Sequence, residues 1–269
     1  MGMFDSGFGG LTVARASIDL LPDEHLVYLG DTGRYPYGAR SLDEVRGFSE
    51  EIAAHLIHRY DVKLLVVACN TATAAALDHL RSTLSIPVLG VVDPGLQALR
   101  QATVTNRVGV IGTIATVGSG AYEAALRRID PTGAMQLVSC ACPGFVEFVE
   151  RGVTSGSEAE LLAERLLAPI VAADVDALLH GCTHYPYLAR VISDTVGREV
   201  VLVSSADETA FALARLLDEM DLANDGATGA GTQQFLSSGD IRAFITLGSR
   251  LLGPELADAE QWSPIETNH

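Results

Sequence analysis

The sequence predicts an α/β protein made of two similar three-layer domains with mainly parallel sheets, on three observations. Short, continuously apolar runs alternate along the chain with longer segments of helical period, the pattern of parallel strands covered on both faces. The pattern restarts near residue 107 with echoes of its opening residues. The length of 269 residues and a hydrophobic fraction of 48% suffice for two ordinary domains with their own cores, without disulfides or structural metals.

The elements follow in order. Gly2 to Phe4 is a short apolar strand that opens into a Gly-rich turn, and Thr12 to Leu21 follows as a helix. His25 to Leu29 is the next strand. Ser41-Leu-Asp-Glu44 is a capping box, with the glutamate three residues after the cap. The helix it starts keeps Val45, Phe48, Ile52 and Leu56 on one face. Leu64 to Ala68 is a buried strand, and Leu77, Leu80 and Leu84 then hold helical spacing. Val88 to Val92 is another strand, ending in Asp93-Pro94-Gly95, a turn by composition.

After the restart, Arg107 to Ile111 is a strand leading into a second Gly-rich turn, Gly112 to Gly120, and a helix through Ile129. Met135 to Ser139 is a strand and Phe145 to Glu150 a short helix. Ser157-Glu-Ala-Glu160 is a second capping box, opening a helix to Ala173. Ala177 to His180 and Val200 to Val203 are strands around a helix from Leu188 to Val196. Glu208 to Met220 is a helix, Asn224 to Thr232 a mobile Gly-rich loop, Gln233 to Leu236 a strand and Ile241 to Leu252 a helix.

The restart carries the domain organisation. Gly2-Met-Phe-Asp5-Ser6 is echoed by Gly109-Val-Ile-Gly112-Thr113, and Leu65-Val-Val-Ala-Cys69-Asn70-Thr71 by Leu178-Leu-His-Gly-Cys182-Thr183-His184, each about 110 residues downstream. The expected first domain is 1–94 plus 206–252, with Asp5 and Cys69. The second is 95–205, with Cys182 and His184, and 253–269 is a disordered tail. Ligands of open α/β sheets sit at the carboxyl ends of the strands. Two such halves facing each other would set Cys69 and Cys182 on opposite sides of one cleft.

Composition narrows the function. The formal net charge is −16 with no Lys/Arg-rich run, which argues against nucleic acid and against an anionic membrane surface as partners. There is no apolar stretch of transmembrane length and no signal segment, so the expected location is cytoplasmic. The four cysteines, at 69, 140, 142 and 182, are then expected to be reduced. Cys140 and Cys142 read as packing residues.

Two cysteines in matching contexts suit one chemistry. Inverting a carbon centre needs a base that takes a proton from one face and an acid that delivers one to the other. A thiolate and a thiol fill both roles and exchange them between directions. An ordinary thiol pKa near 8.5 is open to tuning by helix starts and neighbours, and backbone N–H groups there can hold a carboxylate. A cysteine at a strand end is by itself more often an inert small core residue. Cys69 and Cys182 with His184 are also conceivable metal ligands, although the spacing is not that of a zinc site. Gly7-Phe-Gly-Gly10 lacks the spacing of a dinucleotide fingerprint, and no Walker lysine follows.

Phe4-Asp-Ser-Gly-Phe-Gly-Gly-Leu-Thr12, Gly30-Asp-Thr-Gly-Arg-Tyr-Pro-Tyr-Gly38, Ala68-Cys-Asn-Thr-Ala72 and Gly181-Cys-Thr-His-Tyr-Pro186 resemble the signature segments of the glutamate racemases, of the aspartate/glutamate racemase superfamily. The likeness runs from Gly2 to about Leu252. It implies cofactor-independent interconversion of L- and D-glutamate, the D-isomer serving peptidoglycan synthesis. It implies Cys182 as the base toward L-glutamate and Cys69 toward D-glutamate, with Asp5 and His184 assisting them respectively and Glu150 helping near Cys182. Ser6, Tyr37, Gly38, Asn70, Thr71 and Thr183 would hold the substrate, Thr113 and Thr116 would line the same cleft, and the chain would pair as a homodimer. No cofactor, metal, nucleic acid or membrane enters this reading.

Three alternatives stand beside it: a racemase of the same superfamily acting on aspartate or a hydantoin, a two-lobed amino-acid binding protein, and a thiol oxidoreductase, for which Cys-x-x-Cys is missing. Two positions depart from expectation. The first strand begins almost at Met1, which leaves it open to fraying. His180 stands where an apolar residue is expected, and by alternation it shares a face with Cys182.

Overall fold

The computed structural model describes residues 1–226 and 229–264. These divide into two compact units, one built from Met1–Val91 with the chain from Thr209 onward, the other from Val92–Glu208.

In the first unit, β1 (Gly2–Asp5) lies between β2 (Leu26–Gly30) and β3 (Leu65–Val67), and β4 (Val88–Gly90) flanks β3. Beyond β2 come β9 (Gln233–Ser237) and β10 (Glu260–Gln261), and every pairing is parallel. Strand alternation sends Phe4, Leu29, Leu65 and Val67 to a core closed by α2 (Leu42–Tyr60) and α3 (Asn70–Thr83), through Ile52, Leu56, Ala72 and Leu80. Met3 and Tyr28 face the other way. There α1 (Leu11–Leu20) and α11 (Ile241–Leu252) cover the sheet, with Phe244 stacked on Phe8 and Tyr28 at ring-centroid distances of 5.8 and 6.4 Å. The capping box of α2 is formed: Ser41 Oγ accepts from the Glu44 N–H at 3.3 Å, and the Ser41 N–H donates to Glu44 Oε2 at 3.1 Å.

The second unit is a smaller version of the same sheet. Its order is β6 (Gln136–Ala141), β5 (Arg107–Gly112), β7 (Ala177–Gly181), β8 (Val201–Val203), again all parallel. One face packs Val108, Val110, Ala177 and Leu179 against α4 (Val92–Ala102) and α6 (Ala121–Ile129). The other carries Leu178 toward Ile170 of α8 (Ser157–Ala172), and a side chain at Gly109 would fall 2.8 Å from Leu178. In the chain α5 (Ile114–Gly118) precedes α6, α7 (Phe145–Glu150) precedes α8, and α9 (Ala189–Val196) packs on α8; α10 (Ala206–Glu219) leads back to the first unit.

The predicted α/β class and parallel sheets hold, and several local readings do not. Asp93-Pro94-Gly95 is the first turn of α4 rather than a loop: a proline there sacrifices no helical hydrogen bond, and Gly95 lets the turn close on Leu179 and Ser205. The second Gly-rich turn contains α5, capped by Thr113. The second capping box does not form, because α8 starts from Gly156 at φ 94° and Ser157 already lies inside the helix. β1 is not frayed: it is wholly buried, and the Met1 ammonium donates to His25 O at 2.5 Å. The segment after Leu252 is ordered as far as residue 264, since β10 pairs with β9 and Leu256 and Trp262 are core residues. Residues 265–269 lie outside the described residues, as do 227–228 of the Gly-rich loop. The described ends of that loop are pinned, Asn224 N–H to Glu24 Oε1 at 2.6 Å and Gly231 N–H to Pro22 O at 2.8 Å.

Candidate active site

Cys69 lies two residues past the end of β3 and is the N-cap of α3, so its thiol sits where the first helical N–H groups lack partners. The Ala72 N–H donates to Sγ at 3.4 Å, and the thiol donates to Ser6 Oγ at 3.6 Å. Asp5, at the end of β1, is fully buried and accepts from the Gly7 N–H at 2.7 Å. A side chain at Gly10 would come within 2.5 Å of the Asp5 Cβ, so the glycines of this turn let α1 start against the strand end. Burial, and then the charge of Asp5, push the Cys69 thiol up to about 11, against the weaker pull of the Ala72 and Ser6 hydrogen bonds. Asn70 and Thr71, both buried, form the first turn of α3 beside it.

Tyr37 opens a short 3-10 helix, Tyr37–Ala39, with Gly38 half-buried within it. Its hydroxyl donates to Asp31, a fully buried carboxylate that also takes the Arg34 guanidinium at 2.7 Å and the Ser238 hydroxyl at 2.6 Å. Arg34 bonds Glu51 as well and lies over the Phe48 ring, 4.2 Å from its centroid. Tyr28 donates to Gly7 O at 3.1 Å, and burial, Asp5 and Cys69 raise its hydroxyl well above the ordinary tyrosine range. The sequence reading gave no role to Tyr28, Asp31, Arg34 or Ser238. Asp31 stood inside a quoted segment, but its partner Ser238 lies 207 residues away and only the folded sheet brings them together.

In the second unit Cys182 follows β7, the counterpart of β3, and is buried. His184 Nδ1 lies 3.9 Å from its sulfur, and burial lowers the imidazole to about 4, so it is neutral at pH 7. The next residues form a 3-10 helix, Tyr185–Leu188, rather than an immediate α-helix. Tyr185 is fully buried; its N–H donates to Cys182 O at 3.1 Å and its hydroxyl to Cys142 O at 3.2 Å. His180 is buried in β7, lowered to about 4 by burial alone, and its Nε2 has no hydrogen-bond partner among the described residues.

The fold thus gathers Asp5, Ser6, Cys69, Asn70 and Thr71 in one unit and Cys182 with His184 in the other. Thr113 and Thr116 are joined at 2.9 Å between hydroxyls at the end of β5, the strand equivalent to β1. Thr183 is half-buried beside Cys182, whereas Glu150 is exposed at the end of α7. Cys142 is a core residue, but Cys140 is only half-buried, so packing accounts for one of the two. Among the described residues no group of three His, Cys, Asp or Glu side chains could hold a metal ion, and no helix is long and apolar enough to cross a membrane.

Known proteins are similar to this chain over nearly its whole length. The family profile for Asp/Glu/Hydantoin racemase matches residues 12–212. A glutamate racemase of Geobacter metallireducens is 48% identical over 264 residues, covering 98% of this chain and 96% of that protein. A glutamate racemase isoform from Bacillus anthracis superposes with a TM-score of 0.89 at 38% identity, covering 98% of this chain and 97% of that one. The Francisella tularensis glutamate racemase in complex with D-glutamate superposes at 0.88 with 33% identity, covering 97% and 96%. An α/β chain whose two equivalent strands are each followed by a buried cysteine, matched over nearly its whole length by these enzymes, belongs to the Asp/Glu/Hydantoin racemase family, in its glutamate racemase branch.

Proposed function

We propose that the protein interconverts L- and D-glutamate without a cofactor, by two-base proton transfer at Cα, and that the D-isomer supplies peptidoglycan synthesis. The observation that carries this reading is the pair of cysteines on equivalent strands, each with a proton-handling neighbour. Cys69 has the Asp5 carboxylate nearby, and Cys182 has the His184 imidazole within 3.9 Å. Glutamate as substrate is supported by the D-glutamate complex of the Francisella relative and by the branch as a whole.

In this mechanism Cys182 as thiolate takes the α-proton of L-glutamate while Cys69 as thiol delivers a proton to the opposite face; the reverse reaction exchanges the roles. The raised Cys69 pKa suits the donor state at neutral pH. A bound α-ammonium would offset the Asp5 charge and ease formation of the thiolate in the other direction. Ser6, Tyr37, Gly38, Asn70, Thr71 and Thr183 would hold the carboxylates and ammonium, with Thr113 and Thr116 beside them, and Glu150 would act near Cys182. The α-proton is very weakly acidic. Positioning can supply roughly 7–11 kcal/mol of the barrier, and a well-aimed donor to the developing oxyanion about 3 kcal/mol.

The test is circular dichroism of L-glutamate with the purified, reduced protein and no added cofactor. Decay to zero, with aspartate and a hydantoin unchanged, supports the reading. Decay with aspartate alone moves the substrate, and a flat signal with all three overturns it.

A further inference from the structure

Two thiols stand outside the proposed proton transfer. Cys140 is on β6, an edge strand, and Cys142 follows two residues later, so alternation turns both side chains to the α8 face of the sheet. The Cys140 thiol donates to Leu166 O of α8 at 3.0 Å, and Cys142 Sγ turns back to 3.9 Å from Cys140 O. The Cys142 side chain is near enough to act on the Cys140 thiol. One is half-buried and open in part to solvent, while the other is 2% exposed and covered. This is the division of a reactive thiol and a resolving thiol.

We propose that Cys140 and Cys142 form an oxidation site for hydroperoxides, closing to a reversible disulfide. The Cys140 thiolate attacks the nearer peroxide oxygen; the S–O bond forms, the O–O bond breaks, and the departing hydroxide or alkoxide takes up a proton. The Cys142 sulfur then attacks the Cys140 sulfenic acid. The S–S bond forms, the S–O bond breaks, and water leaves with the Cys142 proton. The two thiols lose two electrons together and the peroxide gains them. Cys140 is the thiol that solvent reaches and Cys142 the covered one, so Cys140 is the one that attacks first, and the influence of Cys142 lowers the Cys140 thiol in the same sense. Cys142 has a third thiol for a neighbour, since the charge of Cys182 acts on it, and Cys182 is therefore the competing partner.

The experiment treats the reduced, full-length protein with hydrogen peroxide, alkylates the remaining thiols, and maps the digest by mass spectrometry. The expected result is loss of two hydrogens from the peptide holding both residues, restored by dithiothreitol. Cys140→Ser abolishes this loss and leaves Cys142 open to alkylation after unfolding. Cys142→Ala, checked for folding by far-ultraviolet dichroism, leaves a Cys140 sulfenic acid that dimedone traps. The mapping in the unmutated protein stands without that variant. A Cys142–Cys182 crosslink, a dimedone adduct on Cys142, or oxidation of Cys69 or Cys182 with Cys140 still free each overturns the proposal.

Discussion

The two units set a cysteine after the same strand of the same parallel order, β2-β1-β3-β4 in one and β6-β5-β7-β8 in the other, yet surround it differently. Cys69 caps an α-helix, touches a serine and sits near a buried carboxylate. Cys182 precedes a 3-10 helix and sits near a neutral imidazole. In the proposed mechanism the shared part, a buried strand followed by a thiol, would deliver the reacting atom. The unshared part sets how each thiol holds its proton. A carboxylate with full burial favours the protonated form, whereas a neutral ring can accept or give a hydrogen bond without adding charge.

The largest expected effect comes from removing either side of the pair. Cys69→Ala and Cys182→Ala should each lower racemisation by about a thousandfold or more, as loss of a positioned acid or base does, with melting temperature little changed. If one variant keeps more than a tenth of the activity, the two thiols are not equivalent partners and the comparison breaks on that side.

Next is the polar network under Tyr37, which belongs to the first unit. Asp31→Asn removes the charge that faces Arg34 and accepts from Tyr37 and Ser238, and breaking such a buried pair costs about 3 kcal/mol. Urea denaturation should show that loss, together with a raised KM for glutamate. Unchanged stability would mean that Glu51 alone holds Arg34.

The comparison also marks how far the sequence could be read. The order of strands and helices was legible because a buried parallel strand writes a continuous apolar run and a covering helix writes its period. Cys69 and Cys182 were legible as candidates because the two halves repeat the same strand-end signal, whereas Asp5 and His184 entered only through the resemblance to the racemase signature segments. Asp31 as a hub was not, since its partner Ser238 is brought in by pairing of β2 with β9. The α4 turn was missed because Pro-Gly reads as a loop unless the proline is known to occupy the first helical turn. The ordered segment to residue 264 was missed because Leu256 and Trp262 are isolated apolar residues without a period, placed by tertiary contact alone.

The second unit carries a pH signature. His180 and His184 are both lowered by burial from 6.5 to about 4, so the fold refuses protons that the unfolded chain accepts. Their contribution is full above pH 6.5 and is lost as the pH falls through 6.5 toward 4, with a slope of up to about 1.4 kcal/mol per pH unit for each group. His180→Leu should flatten the acid side of the stability curve by one such group, measured by urea denaturation from pH 4 to 7. An unchanged slope would show that His180 takes its proton in the folded state. An activity profile that shifts with this variant would also show His180 acting on Cys182.

The smallest effect separates two similar motifs. Ser41→Ala removes a formed helix cap and should cost about 1 kcal/mol, while Ser157→Ala should cost almost nothing, because Ser157 lies inside α8 without a capping bond. Equal costs would contradict the helix start at Gly156.

The central claim is one thiol for each face of Cα. The most direct measurement follows L-glutamate in D2O by proton NMR at Cα and circular dichroism together, at low conversion. With two bases, the proton removed stays on one thiol and the deuteron delivered comes from the other. The D-glutamate formed should therefore carry deuterium at Cα while the remaining L-glutamate keeps its proton, and the same should hold from the other enantiomer. Early deuterium in the unreacted substrate, or D-glutamate that retains the original proton, would show a single base serving both faces and contradict the account.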